Sequence, residues 1–110
     1  MFDLTRFDPA LFAESAGRAA ALLRQLGNEK RLMILCQLAD GERSVGQLQV
    51  PLGLSQSALS QHLAVLRENG IVATRREAQT IHYRIADHAA LQVIQTLAEL
   101  YCPPEMRNAP

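Results

Sequence analysis

The sequence lacks any long apolar run and any export signal. No stretch approaches the ~18 consecutive apolar residues that a membrane span requires, and the N-terminus has no charged start followed by an apolar segment. We therefore expect neither membrane anchoring nor export, and we place the protein in the cytoplasm. Repeats, low-complexity tracts and interdomain linkers are also lacking. The 110 residues predict a single domain, 1–110, with a core at about 10–102 and a frayed tail at 103–110.

Cysteine is scarce, with only two residues, Cys36 and Cys102. They form no Cys-x-x-Cys motif and no spacing typical of a zinc site. In a reducing compartment, a permanent structural disulfide is not expected either. The sequence therefore predicts no metal and no cofactor, and the two thiols need another explanation.

The sequence has no excess of either charge, because 11 basic residues balance 11 acidic ones. The pI near 6.8 argues against a strongly basic nucleic-acid-binding surface. The middle of the chain is nevertheless locally basic, since residues 54–86 contain four arginines and two glutamates. Phosphate contacts need only such local basic side chains, so composition alone leaves DNA binding open.

Five helices are predicted from capping residues at their starts and from Gly, Asp or Pro at their ends. The residues that delimit them are, in order, Asp8 and Gly27, Asn28 and Asp40, Ser44 and Gly53, Ser55 and Gly70, and Asp87 and Pro103. Ser44 and Gln47 have the spacing of a capping box. In the fourth helix, Leu59, Leu63 and Leu66 share one face, which we expect to be buried.

A β-hairpin is predicted directly after the fourth helix. Residues 71–76 and 80–85 are rich in β-branched and aromatic side chains, and residues 77–79 join them. The order of helix, tight turn, helix and hairpin is that of a winged helix-turn-helix. The sequence thus predicts a mainly α fold with a small β-hairpin, in which five helices are joined by a wing.

The polar face of the fourth helix is the main functional clue. Its first half carries amides, hydroxyls and an imidazole, on Gln56, Ser57, Ser60, Gln61 and His62. The second helix of such a motif enters the major groove by this half, where these groups can donate to and accept from base edges. We predict that these five residues bind DNA. The alternative is an uncharged exposed helix of a protein-interaction module.

Further DNA contacts are predicted in the wing and at the end of the fourth helix. Arg75, Arg76 and Gln79 lie near the hairpin tip, from which they would reach phosphates or a minor groove. Neighbouring strand residues point to opposite faces, so we expect only one of the two arginines to reach DNA. Arg67 is either a phosphate contact or a charge favoured by the helix dipole.

The residues quoted above, within the runs 26–32, 57–72 and 75–84, resemble the ArsR (SmtB/ArsR) family of repressors. The resemblance covers about residues 16–102, and its most specific part is the SQHL segment followed by LRE and a glycine. It implies a homodimer through the first and last helices that binds an inverted repeat in double-stranded promoter DNA. The apolar character of those two helices agrees with such an interface.

Metal-responsive members of the family carry motifs that this sequence lacks. Arsenic- and cadmium-responsive members have Cys-x-Cys at the third helix, whereas residues 42–48 contain no cysteine. Zinc- and nickel-type members have ligands along the last helix, where this chain has Ala89, Leu100 and Pro103. Asp87 and His88 alone fall short of the three or four donors of a tight site. A metal-responsive repressor therefore remains an alternative, but the sequence offers no set of ligands for the metal.

The cysteine pair resembles that of the dithiol, sulfide- and redox-responsive branch of the family, which includes the biofilm-growth-associated repressor and the sulfide-quinone-reductase regulator. The resemblance implies that Cys36 and Cys102 form a redox sensor, which reactive sulfur species or peroxide oxidise, so that the promoter is released. Without it, Cys36 would be interpreted as a small buried residue and Cys102 as incidental. A thiol enzyme is a further alternative, but neither cysteine has a local activating cation or helix N-terminus. We predict a regulator, not an enzyme.

Overall fold

The computed structural model describes residues 8–102, so the frayed tail predicted for 103–110 lies outside the described residues. Five helices and three strands follow one another along this part of the chain. Their order is α1 (Pro9–Leu26), α2 (Glu29–Leu38), β1 (Arg43–Ser44), α3 (Val45–Leu52), α4 (Gln56–Glu68), β2 (Val72–Glu77), β3 (Thr80–Ile85) and α5 (His88–Tyr101). The predicted fold of five helices and a wing is confirmed.

Capping side chains begin the helices where the sequence predicts. The Asp8 carboxylate accepts hydrogen bonds from the backbone N–H groups of Ala10 and Leu11, at 2.9 and 3.1 Å. At α3 the capping box is complete, because the Ser44 Oγ accepts from the N–H of Gln47 and the Gln47 side chain accepts from the N–H of Ser44. Each cap satisfies donors that have no partner inside the helix.

The turn between α3 and α4 depends on Gly53. Gly53 ends α3 with a φ of 64°, a left-handed conformation that side chains with a Cβ disfavour. Pro51 lies inside the last turn of α3, so the helix continues one residue past the proline before it ends. Ser55 then caps α4 by accepting from the N–H of Ala58 at 3.1 Å.

The sheet has three strands in the order β1-β3-β2, all antiparallel, and not only the two predicted for the hairpin. The additional strand, β1, is only two residues long, too short for any alternation of polar and apolar side chains to indicate it. The hairpin also extends further than predicted, because Glu77 pairs with Thr80 and the turn contains only Ala78 and Gln79. Ala78, the first residue of the turn, has a φ of 56°. The common two-residue hairpin turns require a positive φ at this position.

The core lies where α2, α3, α4 and α5 meet the inner side of the sheet. Leu59, Leu63 and Leu66 of α4 are fully buried, as predicted. The other buried residues are Leu26, Ile34, Leu35, Leu38, Leu48, Leu52, Ile71, Val72, Ala90 and Ile94. Thus α4 is held rigidly by its apolar face, which leaves its other side for function.

Helix α1 stands apart from this core. Among its residues only Leu26, at the C-terminal end, is buried. That end is fastened to α2, because the Arg31 Nε donates to the backbone carbonyl oxygen of Gln25 at 2.8 Å. No helix in residues 8–102 is long and apolar enough to cross a membrane.

Candidate nucleic-acid interface and cysteine pair

The polar face of α4 is open to solvent. Gln56, Ser57, Ser60 and Gln61 are all exposed, on a helix whose opposite side consists of the buried leucines. With about 100° of rotation per residue, Ser57 and Gln61 point most directly away from that buried side. An exposed row of hydroxyls and amides on a rigid helix can present donors and acceptors to a ligand surface.

His62 occupies a different position from the other four predicted residues. It lies on the flank of α4 that adjoins the core, and it is half-buried. His62 therefore lies beside the leucine face, whereas Ser57 and Gln61 lie opposite it. The reason is geometric, since residue 62 lies one turn from both Leu59 and Leu66 along the helix.

A groove of about 430 Å³ separates α4 from the wing. Its lining includes Ser60, Ala64, Arg67 and Glu68 of α4 and Tyr83 of β3. The structure thus brings the predicted residues Ser60 and Arg67 to one side of α4, facing the sheet. Tyr83 lines the same groove as Arg67 because of the way the sheet packs on α4.

The two wing arginines lie on opposite faces of the sheet, as expected for neighbouring residues of a strand. Arg76 pairs with Ile81, and it therefore shares a face with Tyr83, the face that adjoins α4. The Arg76 Nε donates to the backbone carbonyl oxygen of Ala78 at 3.2 Å. Gln79 is exposed in the turn.

Arg75 lies on the other face and is held by two carboxylates. Its Nη2 donates to the Glu42 Oε1 at 2.6 Å, and its Nη1 donates to the Glu77 Oε2 at 2.8 Å. The Nε is shared between both carboxylate oxygens of Glu42, at 3.1 and 3.2 Å. The Arg75 guanidinium lowers the pKa of both glutamates by these hydrogen bonds. Glu42 was not among the predicted site residues, since it lies 33 positions from Arg75 and no local pattern in the sequence links the two.

Cys36 is exposed near the end of α2, so it is not the buried core residue that was the alternative interpretation. Cys102 is half-buried and follows the last residue of α5. Helices α2 and α5 pack against each other. Although Cys36 is exposed as a residue, its neighbours partly shield the thiol from water, and this desolvation and, secondarily, the negative charge of Cys102 raise the pKa of Cys36 above its ordinary value. The pKa of Cys36 therefore depends in part on whether Cys102 is ionised.

Metal-ligating side chains do not cluster in the part of the chain that the structure describes: residues 8–102 contain no group of three or more His, Cys, Asp or Glu residues placed to hold an ion. Asp87 caps α5 by accepting from the N–H of Ala90 at 3.0 Å, and His88 is exposed. The described residues therefore contain no site of three or four donors for a metal sensor.

An apolar surface remains on α1 and α5. Large apolar side chains of these two helices are exposed, namely Leu11, Phe12, Leu23, Leu100 and Tyr101. Leu100 and Tyr101 are 70% and 77% exposed, which is unfavourable for side chains of this kind in water. Surfaces of this composition commonly lie at contacts between protein chains.

Comparison with known proteins agrees with this arrangement. A family model described as bacterial regulatory protein, arsR family, matches residues 28–74. The transcriptional activator HlyU of Vibrio cholerae is 51% identical over 89 residues, which is 81% of this chain and 82% of HlyU. The biofilm growth-associated repressor of Agrobacterium fabrum is 50% identical over 90 residues, 82% of this chain and 77% of that protein.

Solved structures show the same fold. The structure of reduced HlyU from Vibrio cholerae superposes with a TM-score of 0.81 and 49% identity, and it covers 84% of this chain and 97% of its own. A homodimeric winged helix-turn-helix DNA-binding domain from Mycobacterium bovis superposes with a TM-score of 0.70 and 31% identity, covering 80% of this chain and 82% of its own. The relatives are regulators of transcription, not enzymes.

Proposed function

Since this chain belongs to the ArsR family of bacterial regulatory proteins, we propose that it is a transcriptional repressor whose promoter binding is released when Cys36 and Cys102 are oxidised. The observation that carries the proposal is the placement of the two thiols: Cys36 is exposed on α2, Cys102 directly follows α5, and α2 packs against α5. The whole chain acts as one winged-helix domain, in the cytoplasm, where thiols are kept reduced.

The DNA surface consists of the exposed side of α4 and the adjoining face of the wing. Gln56, Ser57, Ser60 and Gln61 contact base edges in the major groove, and His62 contacts DNA from the flank of the helix. Support comes from the exposure of the first four residues and from the rigid burial of the leucines behind them. A surface helix that serves only solubility would carry lysine and glutamate at these positions.

Phosphates are bound beside this surface. Arg67 lines the groove between α4 and the wing, Arg76 lies on the wing face that adjoins the groove, and Gln79 is exposed at the tip. In the described part of the chain neither arginine forms an ion pair, so both charges are available to DNA. Local charge of this kind is sufficient for a protein whose net charge is zero.

The repressor acts as a homodimer through α1 and α5 and binds an inverted repeat. The exposed apolar side chains of these two helices, Leu100 and Tyr101 above all, support this interface. A two-fold dimer presents two α4 helices to DNA and doubles the number of phosphate contacts. The homodimeric relative from Mycobacterium bovis is consistent with it.

The sensor chemistry is thiol–disulfide exchange with a polysulfide, R–S–S–R′. We assign the first attack to Cys102, because the raised pKa of Cys36 lowers the fraction of that thiol present as the reactive thiolate. The Cys102 thiolate forms a mixed disulfide with one sulfur and releases R′S⁻. The Cys36 thiolate then attacks the Cys102 Sγ and displaces RS⁻. The two thiols lose two electrons and two protons, and the polysulfide is reduced to two thiolates.

Peroxide leads to the same link by a different route. One thiol is oxidised to a sulfenic acid with release of water, and the second thiol condenses with it and releases another water. A covalent link between α2 and α5 alters the dimer helix relative to the DNA-binding helices. A hundredfold loss of DNA affinity corresponds to about 2.7 kcal/mol of coupling, which lies within the range of known allosteric effects.

The proposal is tested by retardation gels with the promoter fragment of the chain's own gene. We expect the reduced dimer to shift the fragment, a polysulfide donor to abolish the shift, and a dithiol to restore it. Zinc and a chelator should have no effect. Cys36→Ser and Cys102→Ser proteins should bind DNA but not respond, since one thiol can be capped but cannot form the link.

Mass spectrometry of the oxidised protein provides the direct chemical test. The peptides of Cys36 and Cys102 should appear as one cross-linked pair. If both serine variants release DNA as readily as the unmodified protein, the sensor assignment is wrong. If the reduced protein shows no salt-sensitive, sequence-preferring shift, the chain is an interaction module instead.

A further inference from the structure

Arg75 and Arg76 are neighbours in sequence, yet their surroundings differ completely. Every nitrogen of the Arg75 guanidinium donates to a carboxylate, of Glu42 or of Glu77. Arg76 donates only to a backbone carbonyl oxygen and forms no ion pair in the described part of the chain. An arginine that binds a phosphate offers it N–H groups and an uncompensated positive charge, and the charge of Arg76 is not paired with a carboxylate, whereas that of Arg75 is paired with two.

The position of the Glu42 carboxylate shows what this ion pair joins. Glu42 directly precedes β1, one edge strand of the sheet, and Arg75 lies on β2, the other edge strand. The side chain of Arg75 therefore extends across β3 to reach Glu42. The next residue, Arg43, donates from its Nε to the carbonyl oxygen of Gln37 at the end of α2, at 2.8 Å. Residues 42 and 43 thus connect the wing to the helical core.

We propose that Arg75 is a positioning residue of the wing and not a DNA contact. By bridging Glu42 and Glu77 it holds β2 against the segment before β1, and it thereby fixes the orientation of the strand whose opposite face carries Arg76. The proposal rests on the proposed DNA-binding function. Of the two wing arginines, only one of which was expected to reach DNA, it selects Arg76, because the two carboxylates around the Arg75 guanidinium would repel a phosphate.

The salt dependence of binding separates positioning from contact. Loss of a phosphate contact lowers the slope of log K against log salt concentration by about one unit, because one counterion fewer is released on binding. A misplaced wing also weakens binding, but the number of counterions released stays the same. We compare Arg75→Gln and Glu42→Gln with Arg76→Gln as the matched control, each on the promoter fragment and on a scrambled fragment of equal length. Thermal unfolding of each variant shows whether the fold is retained.

We expect Arg75→Gln and Glu42→Gln each to weaken binding about two- to fivefold, as loss of an exposed ion pair allows, with an unchanged salt slope. The double variant should bind no worse than either single one, since both remove the same bond. Arg76→Gln should lower the slope by about one unit for each copy in the dimer.

Three results would overturn the proposal. A slope that falls as much for Arg75→Gln as for Arg76→Gln would make Arg75 a phosphate contact. Tighter binding by Glu42→Gln would mean that Glu42 masks Arg75 instead of positioning it. Unchanged affinity in both variants would show that the ion pair does not orient the wing. A reduced protein that fails to bind the promoter fragment at all would instead refute the proposed function itself.

Discussion

Arg43 of β1 donates a hydrogen bond to the backbone carbonyl oxygen of Gln37, the residue that follows Cys36, over 2.8 Å. Arg43 is also paired with Tyr83 of β3 in the sheet. The end of α2, the helix that carries Cys36, is therefore hydrogen-bonded to β1, which pairs with β3 of the wing. In the proposed sensor, a displacement of α2 by a link to Cys102 would reach the proposed DNA surface through β1 and β3.

This route gives the first prediction. Arg43→Gln should bind DNA nearly as well as the unmodified protein when reduced, but lose less affinity on treatment with a polysulfide donor, because the end of α2 no longer holds β1. Arg18→Gln, an exposed arginine of α1, is the control and should respond fully. Fluorescence anisotropy with and without the donor measures both states. An undiminished response in Arg43→Gln would contradict the route.

The second prediction concerns base recognition. Gln61→Ala should cost about 1 to 3 kcal/mol on the promoter fragment and little on scrambled DNA, because the lost amide contacts a base edge. Gln95→Ala, an exposed glutamine of α5, should change neither affinity. Equal losses on both DNAs would show that Gln61 does not read sequence.

The third prediction concerns phosphate binding by α4. Arg67→Ala should weaken binding to all sequences alike and lower the salt slope by about one unit per copy, because the side chain lines the groove beside the wing. Binding is to be titrated over a series of salt concentrations. If the slope stays the same, the charge of Arg67 interacts favourably with the C-terminal end of the α4 dipole but does not contact a phosphate.

The fourth prediction follows from the raised pKa of Cys36. Its alkylation by iodoacetamide should accelerate about tenfold per pH unit and level off only above the ordinary thiol pKa, because only the thiolate reacts. In Cys102→Ser the alkylation rate should reach its plateau at a lower pH, because the neighbouring negative charge is gone. Partial burial of the thiol should still keep the pKa of Cys36 above its ordinary value. Mass spectrometry of the Cys36 peptide follows the rate. A shift to higher pH would contradict the assigned cause.

The fifth prediction tests the dimer. Leu100→Asp should give monomers in sedimentation velocity and lose most promoter binding, because a carboxylate would be buried in the proposed α1 and α5 interface. Val50→Asp is the matched control: Val50 is 85% exposed, but it lies on α3. A dimer that persists in Leu100→Asp would place the interface elsewhere.

The local structure of this protein follows from its sequence. Asp8, Ser44 and Ser55 begin helices where they stand, and Gly53 and Gly70 adopt positive φ where the chain must turn. Such features depend on residues within one turn of each other, so they can be recognised without a structure. The polar side of α4 was predicted for the same reason, since helical periodicity separates it from the leucines.

The tertiary structure alone decided the relations between distant residues. The bond from Arg75 to Glu42 joins residues 33 positions apart, and the two-residue strand β1 exists only because β3 lies beside it. Whether Cys36 is buried, and whether Arg67 and Tyr83 line the same groove, depends on how the helices and the sheet pack. These contacts are set by long-range packing of the core, on which periodicity and capping carry no information.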